Sequence, residues 1–312
     1  MFNMVQRRRV YFTISALVIG VGIVAMIISL ITIGDPFRLG VDFRSGTRFE
    51  IQFLEPATEA EIRAVYTSFG ISNPAVIAIR GEGFENAWQI RTEFVTPDRA
   101  QQIERALIEQ VAPLDRDATF VQSVSPSVGQ EVTRAAFTAV AVAAVVILFY
   151  IMFVFRNVPH PFRYGVCAVA AMTHDILIIV GFIAIMGMLL GWEVDALFLT
   201  AVLTVAGFSL QDTVVVFDRI RENLQRRPYE DYEMIANRSV LETIHRSIAT
   251  QLSSIFVIMA ILLFGGATIR PFIAVLMVGL FSGTYSSLFN AVPLLVAWEK
   301  KEIPLLSRFE GL

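Results

Sequence analysis

Six runs of apolar residues, each of membrane-spanning length, limit what this chain can fold into: Val10 to Ile33, Ala135 to Phe155, Tyr164 to Leu190, Ala196 to Phe217, Ile248 to Phe264 and Phe272 to Trp298. A helix needs about 20 apolar residues to cross the hydrocarbon core of a bilayer, where its backbone polar groups must be satisfied within the segment. Hydrophobic residues make up 55% of the chain and charged residues 17%, against about 45–50% and 25% in a soluble domain. The apolar residues are blocked rather than periodic, which reads as a polytopic α-helical membrane protein with six spans. The first run follows Arg7-Arg8-Arg9 but is too long for a signal-peptide core, and no small-residue cleavage site follows it. It reads as an anchor.

Basic residues of short loops set the orientation of such a bundle. Arg7, Arg8 and Arg9, then Arg156 and Arg163, then Arg219, Arg221, Arg226, Arg227 and Arg238, and finally Lys300, Lys301 and Arg308 all fall on one side. On the other side, 191–195 has no basic residue and 265–271 has only Arg270. Both termini and the 299–312 tail are therefore expected in the cytoplasm. Residues 34–134, between the first two spans, are expected outside the cell membrane.

That segment holds nearly all of the soluble-type patterning. Arg48 to Leu54 alternates like a strand, and Thr58 to Phe69 has helical spacing behind a Thr58/Glu61 capping box. Ala75 to Arg80 and Asn86 to Phe94 read as strands, with turns at Asn73-Pro74 and Gly81-Glu82-Gly83. Thr96 to Gln110 reads as a helix with Pro97 at its first position, and Ala118 to Val124 as a last strand. The order βαββαβ predicts an α+β ferredoxin-like sandwich, a fold that says little about function.

Several function classes find no support. The net charge of −3 and the absence of a basic stripe outside the membrane flanks argue against nucleic acid. No Walker loop, dinucleotide fingerprint, H-E-x-x-H or nucleophile elbow occurs. Any work must then draw on an ion gradient or a partner. The single cysteine, Cys167, can make neither an internal disulfide nor a metal cluster and reads as an inert buried thiol.

The residues that could carry chemistry are acids inside the spans. Asp212 lies six residues before Asp218, roughly 9 Å along a helix. A carboxylate in hydrocarbon costs roughly 2.5–3.5 kcal/mol, so it needs a partner or a task. Ser209, Gln211 and Thr213 surround it in sequence. Either a structural polar contact or a carboxylate that gains and loses a proton satisfies the pattern. Arg246 opens the fifth span at a similar depth, followed by Thr250, Gln251, Ser253 and Ser254, which suggest a polar seam. His245, beside it, has the intrinsic pKa of a proton exchanger but also suits an incidental place at the interface. Asp175 is the deepest acid and follows His174, although neighbours on a helix point about 100° apart. Gly279 and Gly283 in the sixth span suit close helix packing.

SLQDTVVVFDRIREN at 209–223, LGVDFRSGTRFE at 39–50, VSPSVGQEV at 124–132 and the His174-Asp175 pair resemble the signatures of the SecF family. These are the smaller membrane subunits of the SecDF preprotein-export complex. Three positions depart: Gln211 replaces the usual Asn, Ser45 the first Gly of a Gly-Gly pair, and Ser125 a Gly. The two serines suggest that those turns need no left-handed backbone.

The resemblance implies a six-helix bundle similar to half of an RND-type transporter, completed by SecD. It implies that Asp212 and Arg246 lie at the interface of the halves and take part in proton passage, with Asp175 a further family feature. It implies no enzyme activity and no cofactor, with protons as the coupling ion. The implied surroundings are the SecYEG translocon with SecA, translocating preprotein and membrane lipid. An RND-type exporter of small molecules or lipids, and a passive translocon scaffold, are the competing readings.

Overall fold

The computed structural model describes residues 3–79, 86–266 and 269–303. The turn expected at Gly81-Glu82-Gly83, the strand end at Arg80 and the tail residue Arg308 lie outside them. The described chain forms two compact units, residues 39–137 and residues 1–38 with 138–312.

The 39–137 unit carries strands β1 (Gly46–Gln52), β2 (Ala75–Ile79), β3 (Ala87–Thr92) and β4 (Phe120–Val124). Its helices include the short α2 (Val41–Arg44), α3 (Glu59–Ser68) and α4 (Pro97–Gln110). The four strands form one antiparallel sheet in the order β2-β3-β1-β4, the order of a ferredoxin-like sandwich. Alternation does the sorting: Phe49 and Ile51 of β1 and Ile90 of β3 turn to one face. There they bury with Ile62, Val65 and Tyr66 of α3 and Ile103 and Leu107 of α4.

The capping box is present in full at the start of α3. The Thr58 hydroxyl and then its backbone N–H hold the exposed Glu61 carboxyl below its ordinary pKa.

One expectation here is overturned. Ser45 takes φ 62°, ψ 166°, a region that almost only glycine enters without strain, and Gly46 follows at φ 127°. A Cβ at Gly46 would lie 2.6 Å from the Thr92 carbonyl oxygen. The turn therefore does demand unusual backbone at both positions, and the serine bears it. Ser125, in contrast, is not among the residues of positive φ. Its carbonyl accepts from Gly129 N at the start of the next helix.

The remaining helices are long enough to cross a membrane. They are α1 (Arg8–Ile33), α5 (Pro126–Val154), α6 (Pro161–Leu190), α7 (Ala196–Arg226) and α8 (Tyr232–Phe264), with the sixth span made of α9 (Arg270–Ser286) and α10 (Val292–Glu299). Several helices overrun their apolar cores: α7 continues through the charged stretch to Arg226, and α8 begins at Tyr232. Aspartates cap both: Asp195 accepts from Phe198 N at 2.9 Å and Asp231 from Glu233 N at 3.2 Å. The sixth span is not one continuous α-helix. A π-helical turn at Ser287–Ala291 interrupts it, and such turns often mark functional sites.

Small residues set how closely the helices approach. Gly22 of α1 faces Gly181 of α6, and a Cβ built on Gly181 would lie 2.7 Å from the Gly22 Cα. On α9, a Cβ at Gly279 would overlap the Val205 side chain, and one at Gly283 would press on Ser209. The sixth-span glycines thus serve helix packing. Cys167 is fully buried and free.

Candidate functional site

The inward face of α7 repeats every three or four residues through Val205, Ser209, Asp212, Thr213, Val216 and Ile220. Two carboxylates converge on it, and they are held very differently.

Asp175 of α6 is completely buried. Its Oδ2 accepts from Ser209 Oγ of α7 at 2.6 Å and Ser286 Oγ of α9 at 2.7 Å. Its Oδ1 accepts from Ser282 Oγ of α9 at 2.6 Å and lies 3.1 Å from His174 Nδ1. One carboxylate thus ties three helices together. His174 lies within hydrogen-bond distance of its neighbour despite the 100° offset. Its ring also stacks on Tyr285 with centroids 6.1 Å apart, and the Tyr285 hydroxyl donates to the Tyr11 carbonyl of α1. Beside this cluster, Thr213 Oγ1 donates to the Ser209 carbonyl at 3.0 Å and lies 2.8 Å from Ser287 Oγ in the π-helical turn. Ser209 and Thr213, expected beside Asp212, therefore serve the Asp175 cluster and the sixth span.

Asp212 is 4% exposed, and among the described residues its one hydrogen-bond partner is Gln251 Nε2 of α8, at 2.9 Å from Oδ2. Among the described residues Asp212 and Arg246 form no ion pair with each other. Arg246 is exposed and lines a cleft of about 510 Å³ together with Asp218, Arg221, Glu242 and Thr243. The acids of that cleft bind other arginines: Asp218 pairs with Arg221 at 2.5 Å and Glu242 with Arg219 at 2.6 Å. Among the described residues Arg246 forms no ion pair. Gln211 and Thr250 are also exposed, and Thr250 Oγ1 donates to the Arg246 carbonyl at 2.9 Å. His245 is exposed as well. Of the expected polar seam on α8, Gln251 alone is fully buried.

Sequence reasoning missed Gln251 as the partner of Asp212, and Ser282, Ser286 and Ser287 as polar groups around Asp175. The signal was present as a cluster of polar residues in an apolar sixth span, Ser282, Thr284, Ser286 and Ser287 followed by Asn290, whose amide donates to Ser15 of α1. Among the described residues no group of His, Cys, Asp and Glu could hold a metal ion.

Together these features define a class: a bundle of six membrane-length helices, an α+β sandwich inserted after the first, and buried carboxylates in the third and fourth. Family models agree. The description "Protein export membrane protein SecD/SecF, C-terminal" matches residues 103–301, and "SecD/SecF GG Motif" matches residues 31–55. The chain belongs to the SecD/SecF family.

It is 42% identical over 309 residues to the protein translocase subunit SecF of Thermobaculum terrenum, covering 97% of this chain and 95% of that one. It is 32% identical to the protein translocase subunit SecDF of Bacillus subtilis, covering 97% of this chain and 39% of the relative. The crystal structure of SecDF from Thermus thermophilus superposes with a TM-score of 0.79 at 27% identity, covering 96% of this chain and 39% of that one. The chain thus spans about two fifths of these SecDF chains and nearly all of the SecF relative.

Proposed function

We propose that this chain is the SecF half of a SecD–SecF membrane complex that uses the proton gradient to promote late steps of preprotein export. The observation that carries the proton part is the contrast between its two buried acids. Asp175 is surrounded by donors on both oxygens. A carboxylate with donors on both oxygens is held in place from several helices and suits a fixed tie between them. Asp212 receives one hydrogen bond, from a neutral amide. A buried carboxylate held by one neutral donor is free to change partners, and a guanidinium brought near it would favour its charged form. Arg246, unpaired among the described residues, is the cation for that role. The switch is then the making and breaking of an Asp212–Arg246 pair as Asp212 changes protonation, with the 39–137 unit following the resulting shift of helices.

The exposed polar side chains of the spans support a companion. Gln211, Arg246 and Thr250 lie on surfaces of α7 and α8, and polar groups facing lipid are costly. A SecD-like half covering those surfaces removes the cost. Two family members named SecDF are more than twice as long as this chain, with room for such a half in one polypeptide. The arginine distribution supports cytoplasmic termini and an extracytoplasmic 39–137 unit. No chemical active site and no cofactor enter this reading, in which the proton is the coupling ion. SecYEG with SecA is the expected partner on the export path.

Purification of the intact chain from its native membrane tests the assembly. A SecD-like chain at equal amount is expected, and a chain that purifies alone at native expression overturns the reading. Arg246→Gln is expected to lower export while leaving assembly intact. A passive scaffold predicts no effect.

A further inference from the structure

The cleft that holds Arg246 and the buried Asp212 carboxylate are joined on α8 by one line of polar side chains. Thr243 lines the cleft. Ser247 is 2% exposed, and among the described residues its hydroxyl has no hydrogen-bond partner. Gln251 is 5% exposed and its Nε2 donates to Asp212, while its buried Oε1 has no partner among the described residues. The three residues are spaced four apart, so they lie on one face of the helix. Two orphaned polar groups on successive turns of a membrane helix are unusual, because a buried polar group without a partner costs about 1–3 kcal/mol.

Resting on the reading of Asp212 as the proton carrier, we propose that Thr243, Ser247 and Gln251 form a hydrated half-channel that delivers protons from the charged cleft to Asp212. The geometry fits water-mediated transfer. Positions four apart on a helix rise about 6 Å. That exceeds a direct hydrogen bond and matches one bridging water with two bonds of about 2.8 Å each. A proton taken from water in the cleft passes along this line to an Asp212 oxygen, converting carboxylate to neutral carboxylic acid, and the reverse step returns it to water. Neither the serine nor the amide changes its net protonation. Gln251 suits both ends of the step, since its N–H donates to the carboxylate and its Oε1 accepts from the acid's O–H after rotation of the amide.

The other charged groups near this line are known. Asp218, Arg219, Arg221 and Glu222 of α7 and Glu242 and Arg246 of α8 line the cleft at its entrance. On α6, His174 and Asp175 reach α7 through Ser209, and α9 brings serines and Tyr285 to that cluster.

The test is the rate of Asp212 protonation after a pH jump, read as the carboxylic acid C=O infrared band in the full chain with its co-purifying companion in lipid nanodiscs. Asp212→Asn identifies the band by its loss. Ser247→Val and Ser247→Thr are matched in size and differ in the hydroxyl, so a packing defect affects both. Ser247→Val is expected to slow protonation about tenfold, equivalent to a barrier higher by about 1.4 kcal/mol, while Ser247→Thr stays close to the native rate. Equal rates in the two variants, with an Asp212 band that still titrates, overturn the half-channel and leave the carrier reading standing. A chain without any titrating Asp212 band overturns both.

Discussion

Removing single hydroxyls from the Asp175 cluster measures how firmly that acid ties the bundle. Ser282 and Ser286 donate to different oxygens of one fully buried carboxylate, at 2.6 and 2.7 Å. Leaving a buried acceptor without its donor costs about 1–3 kcal/mol. Ser282→Ala and Ser286→Ala should therefore each cost about 2 kcal/mol, roughly a 30-fold loss in the ratio of folded to unfolded chain. Because the two donors share an acceptor, the double variant should depart from additivity by about 0.5 kcal/mol or more. Ser253→Ala is the control, since that serine is exposed on α8 and such changes fall within about 0.5 kcal/mol. Equilibrium unfolding in mixed micelles, followed by tryptophan fluorescence to which the buried Trp298 contributes, gives all four values. If the two single variants unfold like the Ser253 control, Asp175 is not the tie described here, and its contrast with Asp212 loses its basis.

Three further outcomes follow from other parts of the molecule. Ser45→Gly should stabilise the 39–137 unit by about 1 kcal/mol, because glycine enters the φ 62° backbone without strain; slower hydrogen exchange of the β1 amides in the intact chain would show it. Gly181→Ala places a Cβ 2.7 Å from the Gly22 Cα, so α1 must move away from α6 at a cost of about 1–3 kcal/mol, seen as a lower unfolding midpoint. A cysteine at the exposed position Asp98 should react with a membrane-impermeant maleimide added outside spheroplasts, because the native Cys167 is fully buried and silent; labelling only after lysis reverses the proposed orientation.

Much of this was legible in the sequence because local rules decided it. The strands at Ala75–Ile79 and Phe120–Val124 and the helix opening at Pro97 fall close to where alternation and turn residues put them. The Thr58–Glu61 box is local by nature. Apolar run length found the six spans, and the helices that carry them run further: α7 continues through its charged end to Arg226, where exposed charges pair with one another, as Asp218 does with Arg221.

The site was legible only in part. Asp212 and Asp175 stand out as acids in apolar runs, yet their partners are set by helix register across long separations. Ser282 and Ser286 lie 107 and 111 residues from Asp175 in sequence. The π-helical turn that follows Ser286, and brings Ser287 to Thr213, leaves no periodic signature. In sequence Arg246 reads as the cation at the depth of Asp212, and Gln251 as one member of the polar seam that follows it. Only the packed helices show that Gln251 faces Asp212 while Arg246 is exposed at the cleft. Ser45 misled for a related reason: a residue's identity reports its preference, and a turn can impose a φ the residue does not favour.

The central claim is that Asp212 changes protonation during export while the rest of the bundle stays assembled. Its most direct test is the ratio of export with and without a proton gradient, measured in membrane vesicles carrying either the native chain or Asp212→Asn. The amide is close in size to the carboxyl and can keep a hydrogen bond to Gln251, but it cannot carry the proton. The account predicts that the variant assembles at native levels and that its ratio falls to one. A variant that retains the native ratio contradicts it.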